Sequence, residues 1–488
     1  MSQLSQLAGD TVSRPLRSRQ VLLIVSAGVV MASLDLFIVN VALPQISADL
    51  HEPSLGALSW VLNGYAIVYA ALLVLFGRLA DQRNRKSGFL LGVAIFTLGS
   101  AACGAAVNVP MLIACRLVQA AGAALLTPTS LGLVLASYPA ERRGGAVRAW
   151  TAAGGMAAAL GPVIGGLLVA ASWRWVFFVN VPIGLAALVV GWRRLPDVPG
   201  HPGPRPDALS ALLVTGGVGA LTLGLVRGDA WGWASARTIA VLVAAVVILG
   251  LFVLHCLRHH NPLVDPALFR VRAFSGASLA MLLFSVSFGA MLLSVVLWMQ
   301  DSWGWSALRT GLGVAPGPVM VPLFSFLVTG RLLARYGSAV VVGLGATLFS
   351  AGVAWWAVAV QVQPDYLEIL PGMIVTGIGV GLTLPSLMST AAAALPPQSF
   401  ATGSGVVNML RQVGFAVGVA MLVAVLGSPH GAGAELTAFR HAWYATAGAG
   451  FAAALAAIAL RRRPHSAAAT AAGVPSSRRS PRQPARPT

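Results

Sequence analysis

The chain has 488 residues, 57% of them hydrophobic and only 9% charged, with mean hydropathy +0.81. Soluble domains carry about a quarter of charged residues, so a water-soluble globular class is excluded. The formal net charge of +18 invites a nucleic-acid reading, but its arginines lie scattered beside apolar runs, where membrane topology and anionic lipid account for them, and no nucleic-acid partner is expected.

With no water in the bilayer core, an apolar run of about 20 residues must satisfy its own backbone as a helix, and short alternating segments of the barrel type are missing. The expected fold class is therefore an all-α polytopic membrane protein. Spans are predicted at 20–43, 57–77, 87–107, 110–137, 148–171, 175–192, 208–226, 237–257, 274–298, 311–330, 338–360, 368–394, 401–426 and 441–460, fourteen in all. The first is too long for a cleavable signal and lacks its small-residue cleavage pattern, so it is expected to stay. The weakest helix signals are the run 311–330, with Pro316, Pro318 and Pro322, and the break at Ser172-Trp173-Arg174.

Positive residues are retained on the cytoplasmic side. With the N-terminus inside, that side receives Arg14, Arg17, Arg19, Arg78, Arg83, Arg85, Lys86, Arg142, Arg143, Arg148, Arg193 and Arg194, whereas the other keeps Arg174, Arg227, Arg237, Arg309 and Arg440. Both termini are thus expected in the cytoplasm and the chain in the inner (plasma) membrane. Residues 1–19 read as a cytosolic segment, and 461–488, rich in Ser, Arg, Pro and Ala, as a disordered basic cytosolic tail. Cys103, Cys115 and Cys256 read as small buried side chains with no disulfide framework. His255, His259 and His260 approach metal-ligand spacing, but beside Arg258 they read as a solvated helix cap, and no metal is expected.

Asp35 is the one acid deep inside a predicted span, Glu368 standing at the very edge of another. A carboxylate at membrane depth costs roughly 2.5–3.5 kcal/mol or more, so it needs a partner, a water-filled cavity or a task. Counting about 1.5 Å per residue from the span ends puts Asp35 roughly 12 Å and Arg116 about 9 Å below the outer surface, close enough in depth to pair. The expectation is that Asp35 faces a watery central cleft and carries a proton; a static ion pair that fixes helix register remains the alternative. In span thirteen Ser404, Asn408, Arg411, Gln412 and Phe415 share one helix face. Asn40, Asn63, Tyr65, Gln119, Phe284 and Phe288 join Asn408, Arg411 and Gln412 as candidate substrate contacts. Arg411 could instead bond to the Gly/Pro-broken helices. One acid and two intramembrane arginines supply no nucleophile, base or metal set, so an enzyme is not expected, and without a P-loop neither is ATP.

The motifs Leu34-Asp35-Leu36-Phe37-Ile38-Val39-Asn40-Val41-Ala42-Leu43-Pro44, Gly77-Arg78-Leu79-Ala80-Asp81-Gln82-Arg83-Asn84-Arg85-Lys86, Arg116-Leu117-Val118-Gln119-Ala120-Ala121-Gly122 and Gly161-Pro162-Val163-Ile164-Gly165-Gly166 fall in this order along the chain. Trp173-Arg174-Trp175, Phe177-Phe178-Val179-Asn180-Val181-Pro182 and Asn261-Pro262-Leu263-Val264-Asp265-Pro266 follow. Together they resemble the exporters of the major facilitator superfamily, and specifically their fourteen-span drug:proton antiporter branch, over residues 20–460. Phe37 stands where the family usually has threonine, Asn84, Ala120 and Ala157 where it prefers glycine. Asn84 tolerates the left-handed conformation, which would preserve a tight turn there.

The resemblance implies a six-helix bundle at 20–194, an inserted helix pair with its linkers at 195–273, and a second six-helix bundle at 274–460. Substrate would bind near the midplane and be exposed alternately to the two sides. Asp35 and Arg116 would couple protons to that motion, with Gly77, Asp81, Arg85, Gly161, Pro162, Gly165 and Gly166 at its gates. The expected partners are a hydrophobic drug or antibiotic, protons and membrane lipid, for a monomer with no cofactor beyond the proton gradient. The alternative substrate is an endogenous metabolite or lipid. A cavity-facing Arg411 would favour anionic or carbonyl-rich molecules over the lipophilic cations typical of that family.

Overall fold

The computed structural model describes the backbone of residues 2–52, 54–200, 207–395, 400–427 and 431–457. The predicted tail at 461–488 lies outside the described residues, as do the side chains of Asp81 and Ser404. Every regular element among the described residues is helical, as the need for internal backbone pairing requires. The elements are α1 (Ser2–Asp49), α2 (Leu55–Gln82), α3 (Arg85–Gly104), α4 (Val109–Ser137), α5 (Ala140–Ala171), α6 (Trp175–Phe178), α7 (Asn180–Arg194), α8 (Ala208–Trp231) and α9 (Ala236–Arg258). They continue with α10 (Arg272–Leu297), which ends in a π-helical turn Trp298–Ser302, then α11 (Ala307–Val314), α12 (Pro316–Phe324), α13 (Gly330–Ala359), α14 (Tyr366–Ala393), α15 (Phe400–Leu426) and α16 (Ala432–Ala456).

Among the described residues, eleven helical stretches are long and apolar enough to cross a membrane. One of them, Ala307–Ala359, is 53 residues long and breaks at Gly337, whose φ of 77° is a conformation that only glycine adopts freely. Its first part is itself interrupted, because Pro316, Pro318 and Pro322 lack the N–H that a continuous ladder needs. The break predicted at Ser172-Trp173-Arg174 separates α5 from α6.

Helix starts follow from side chains that take up the free first-turn amides. Ser54 accepts from Ala57 N, Asn108 from Met111 N and Ser235 from Thr238 N. Asn84 corrects the expectation of a left-handed turn: at φ −63° and ψ 119° it is extended, and its side chain accepts from Lys86 N and Ser87 N as the cap of α3. Asparagine serves here through its amide oxygen, not its conformational tolerance.

Helix α1 packs on α4 and α5, α2 on α4, and α3 on α4 and α7; farther along, α10 packs on α15 and α16, α13 on α14 and α16, and α12 on α14. These groups meet where α2 lies against α15 and α5 against α11, while α8 pairs with α9 and touches α2 and α15. Between apolar helices in lipid, small residues that permit close approach supply the contact. A Cβ on Gly122 of α4 would stand 2.4 Å from Phe96 N of α3, so nothing larger fits. In α9 only 11% of the most apolar stretch is buried, which puts that helix at the lipid-facing rim.

Candidate functional site

Helix α1 carries Asp35 inward, and its carboxylate is wholly buried. Oδ2 accepts from Arg116 Nη1 at 2.5 Å; Oδ1 accepts from Gln119 Nε2 at 2.9 Å and from Asn180 Nδ2 at 3.4 Å. Arg116 and Gln119 stand one turn apart on α4, so both reach the same carboxylate. Arg116 also donates from Nη1 to Gln119 Oε1 at 2.8 Å and from Nε to Val61 O of α2 at 3.2 Å. Its guanidinium carbon lies 4.1 Å from the Tyr65 ring centroid and 5.8 Å from that of Phe177, within range of cation–π attraction. Asn180, at the start of α7, also donates to Ser100 Oγ of α3 at 3.0 Å. Side chains and backbone of six helices, α1 to α4, α6 and α7, thus close around one ion pair.

That geometry corrects the expectation of a watery cleft at Asp35. Three protein donors from α4 and α7 occupy the carboxylate, and neither it nor Arg116 has exposed surface. It also moves Tyr65 and Gln119 out of an open pocket and into the cage of the ion pair. Asn180 is a site residue that the sequence reading omits; a polar side chain inside the predicted span 175–192, within the Phe177–Pro182 motif, is the available signal. The cage is incomplete, since Arg116 Nη2, the Tyr65 hydroxyl and Asn180 Oδ1 are buried without a partner.

The remaining candidates sit elsewhere. Asn40 Nδ2 donates to Leu36 O and Phe37 O, each at 3.3 Å, so it is tied to its own helix. Phe37, two residues after Asp35, meets Phe288 of α10 edge-on at 6.1 Å. Phe284 is wholly buried, 4.9 Å from the Phe349 ring of α13, and is core packing rather than pocket lining. Asn63 of α2 is wholly buried with both side-chain polar atoms unpartnered. On α15, Gln412 is buried, Asn408 half-buried and engaged, and Arg411 half-buried with its Nε unpartnered.

The glycines of α5 sit in two tight contacts. A Cβ on Gly161 would stand 2.8 Å from Phe37 Cβ, and one on Gly165 3.0 Å from Ile38 Cγ1, both on α1. One on Gly166 would stand 2.6 Å from Ala307 O, and one on Gly311 2.4 Å from Pro162 O, across the α5–α11 junction. Gln300 Nε2 donates to Val41 O at 3.1 Å nearby, a further bond between α10 and α1. Toward the opposite ends of the helices Gly77 faces Pro128 of α4 at an ordinary 3.7 Å, Arg85 donates to Gly132 O at 3.3 Å, and Arg78 donates to Asn261 Oδ1 at 2.9 Å.

His255 departs from the solvated cap expected of it. Its Nε2 lies 3.2 Å from both Asp207 oxygens, and its ring 4.8 Å from that of His259. Asp207 caps α8 by accepting from Ser210 N and the Ser210 hydroxyl, and it also takes Leu263 N at 3.3 Å. Burial works to raise the Asp207 carboxyl, but the bonds from Ser210 and His255 outweigh it and hold the group below its ordinary value. Asp207, His255 and His259 are the described residues whose ligand atoms converge, within 4.8 Å; the bonds on Asp207 already account for it as a tie between α8, α9 and the following loop.

A family model described as Major Facilitator Superfamily matches residues 25–418, with a second match over 277–487. The tetracenomycin C resistance and export protein of Streptomyces glaucescens is 34% identical over 83% of this chain and 76% of its own length. The methylenomycin A resistance protein of Bacillus subtilis is 34% identical over 88% of this chain and 90% of its own. Among solved structures, a bacterial homologue of the human lysosomal transporter Spinster, inward-facing and occupied, superposes with a TM-score of 0.66 at 16% identity over 90% of this chain and 95% of that one, a likeness of fold alone.

Proposed function

The chain belongs to the major facilitator superfamily, and on that premise we propose that it exports hydrophobic drugs or antibiotics across the cytoplasmic membrane in exchange for protons. Similarity to named resistance and export proteins along most of the chain supports the export of a small molecule. The observation that carries the proton exchange is the sealed Asp35–Arg116 pair, because a proton on Asp35 would strip a buried guanidinium of its counter-charge.

The packing supplies a route from that event to the motion. Phe37 and Ile38, next to Asp35 on α1, bear on Gly161 and Gly165 of α5; Pro162 and Gly166 of the same helix bear on Gly311 and Ala307 of α11. When Asp35 is charged, α1 is held to α4 and α7, and α5 rests closed on α11. When it is neutral, Arg116 keeps Gln119, Val61 O and the Tyr65 face, α1 loses its strongest tie, and the α5–α11 junction can part. The two arrangements are the alternately open states. Gly77, Asp81 and Arg85 would serve the opposite gate; Asn40, Asn63, Phe288, Asn408, Arg411 and Gln412 would line the substrate path.

The reading includes fourteen crossings, as two six-helix bundles flanking the pair α8 and α9, with both termini cytoplasmic. It is supported by the eleven long apolar stretches, by α5 and α16 beside them, and by the break at Gly337 that divides the longest stretch in two. Uptake of a drug panel into everted membrane vesicles, with and without a protonophore, tests it. Gradient-dependent uptake by the wild type, lost in Asp35→Asn at equal membrane abundance, is expected. Unchanged uptake in Asp35→Asn, or uptake indifferent to the protonophore, would refute proton exchange.

A further inference from the structure

The two arginines at membrane depth are treated in opposite ways. Arg116 is sealed, paired with a carboxylate and backed by Gln119, Val61 O and two aromatic faces. Arg411 has none of these. Among the described residues it forms no ion pair or hydrogen bond, and its Nε is buried without an acceptor. Asp35, buried within the spans, is taken by Arg116.

Its position adds to the contrast. Helix α15 lies along α2 where the two helix groups meet: Gly405, two turns before Arg411, faces Val74 of α2. The residue is half-buried, and its Nε is sealed from solvent. A guanidinium offers five donors in a planar fork whose match is a planar oxyanion. At membrane depth an unpaired cation is a functional group by default. A cationic molecule brought to this junction would meet like charge, and among the described residues no acid pairs with Arg411 to offset it.

We propose that Arg411 is the recognition residue for an acidic group, a carboxylate or an ionised phenol or enol, on the exported molecule, so that the transporter prefers anions. This rests on the exporter reading and names the substrate class for the same path. Asn408 and Gln412, within one turn, would hold carbonyl groups beside the acid.

The test is binding to the purified full-length protein, without a proton gradient, of two dyes that share a xanthene skeleton: anionic carboxyfluorescein and a cationic rhodamine. The wild type is expected to bind the anionic dye about tenfold or more tightly than the cationic one. Arg411→Ala should erase that preference with little change toward rhodamine, and Arg411→Lys should keep much of it. A wild type that binds rhodamine better, or does not bind carboxyfluorescein, overturns the proposal. So does an Arg411→Ala variant that weakens both dyes equally, since that marks a packing role, with Arg411→Lys and the melting temperature separating it from misfolding. Because no gradient is used, failure here leaves proton-driven export standing, and failure of the Asp35→Asn experiment leaves this binding preference standing.

Discussion

Neutralising Asp35 should destabilise the protein through Arg116, and neutralising both should not add up. In Asp35→Asn the guanidinium keeps Gln119 Oε1 at 2.8 Å, Val61 O at 3.2 Å and the Tyr65 ring at 4.1 Å, but loses the sole counter-charge at 2.5 Å while remaining wholly buried. Breaking such a pair from one side costs about 3–5 kcal/mol. Arg116→Gln should cost a similar amount by leaving the carboxylate with Gln119 and Asn180 alone. The double variant removes both charges together, and amide can bond to amide across the same gap, so its loss should fall below the sum of the singles by about 2 kcal/mol or more. Thermal unfolding of the purified variants in one detergent, followed by tryptophan fluorescence, reads the cycle. Losses that simply add would mean that the two side chains are not energetically coupled, and the mechanism built on their separation would fail with them.

Two further outcomes follow from packing and from charge. Gly311→Val should force α5 and α11 apart, because even a Cβ there meets Pro162 O at 2.4 Å; overpacking of this kind costs about 1–3 kcal/mol. Disulfide trapping between cysteines placed at Val41 and Gln300, whose positions touch in the closed arrangement, should fall about tenfold in Gly311→Val, and unchanged trapping would show that the junction does not govern closure. Asp207, held below its ordinary carboxyl value of 3.8, should contribute stability that is fully present above that value and lost as pH falls through the lower folded one. Asp207→Asn should flatten this acid limb of the melting curve, and an acid limb that persists in that variant would assign it to other groups.

Much of the site was legible because a charge in an apolar span is conspicuous. Asp35, Arg116 and Arg411 stand out by residue type alone, and depth counting along helices of known rise was enough to match the first two. Helical periodicity likewise put Asn408, Arg411 and Gln412 on one face. The glycines of α5 were legible as a motif, but which helices they press against was not, because a small residue records only that something comes close.

From its order of residues alone this chain was bound to be a bundle of membrane-crossing helices, since apolar runs of that length have no other way to pair their backbone in lipid. Which groups share a cavity was decided by helix rotation and crossing, to which composition is blind. Only tertiary structure could seal Asp35 with Asn180 and Gln119 rather than bathe it, turn Asn84 into a cap, join His255 to Asp207 across the α8–α9 pair, and leave Arg411 without a partner among the described residues. The physical reason is that burial in a low-dielectric medium fixes what each polar group needs, while the packing of small residues against neighbouring helices fixes who can supply it.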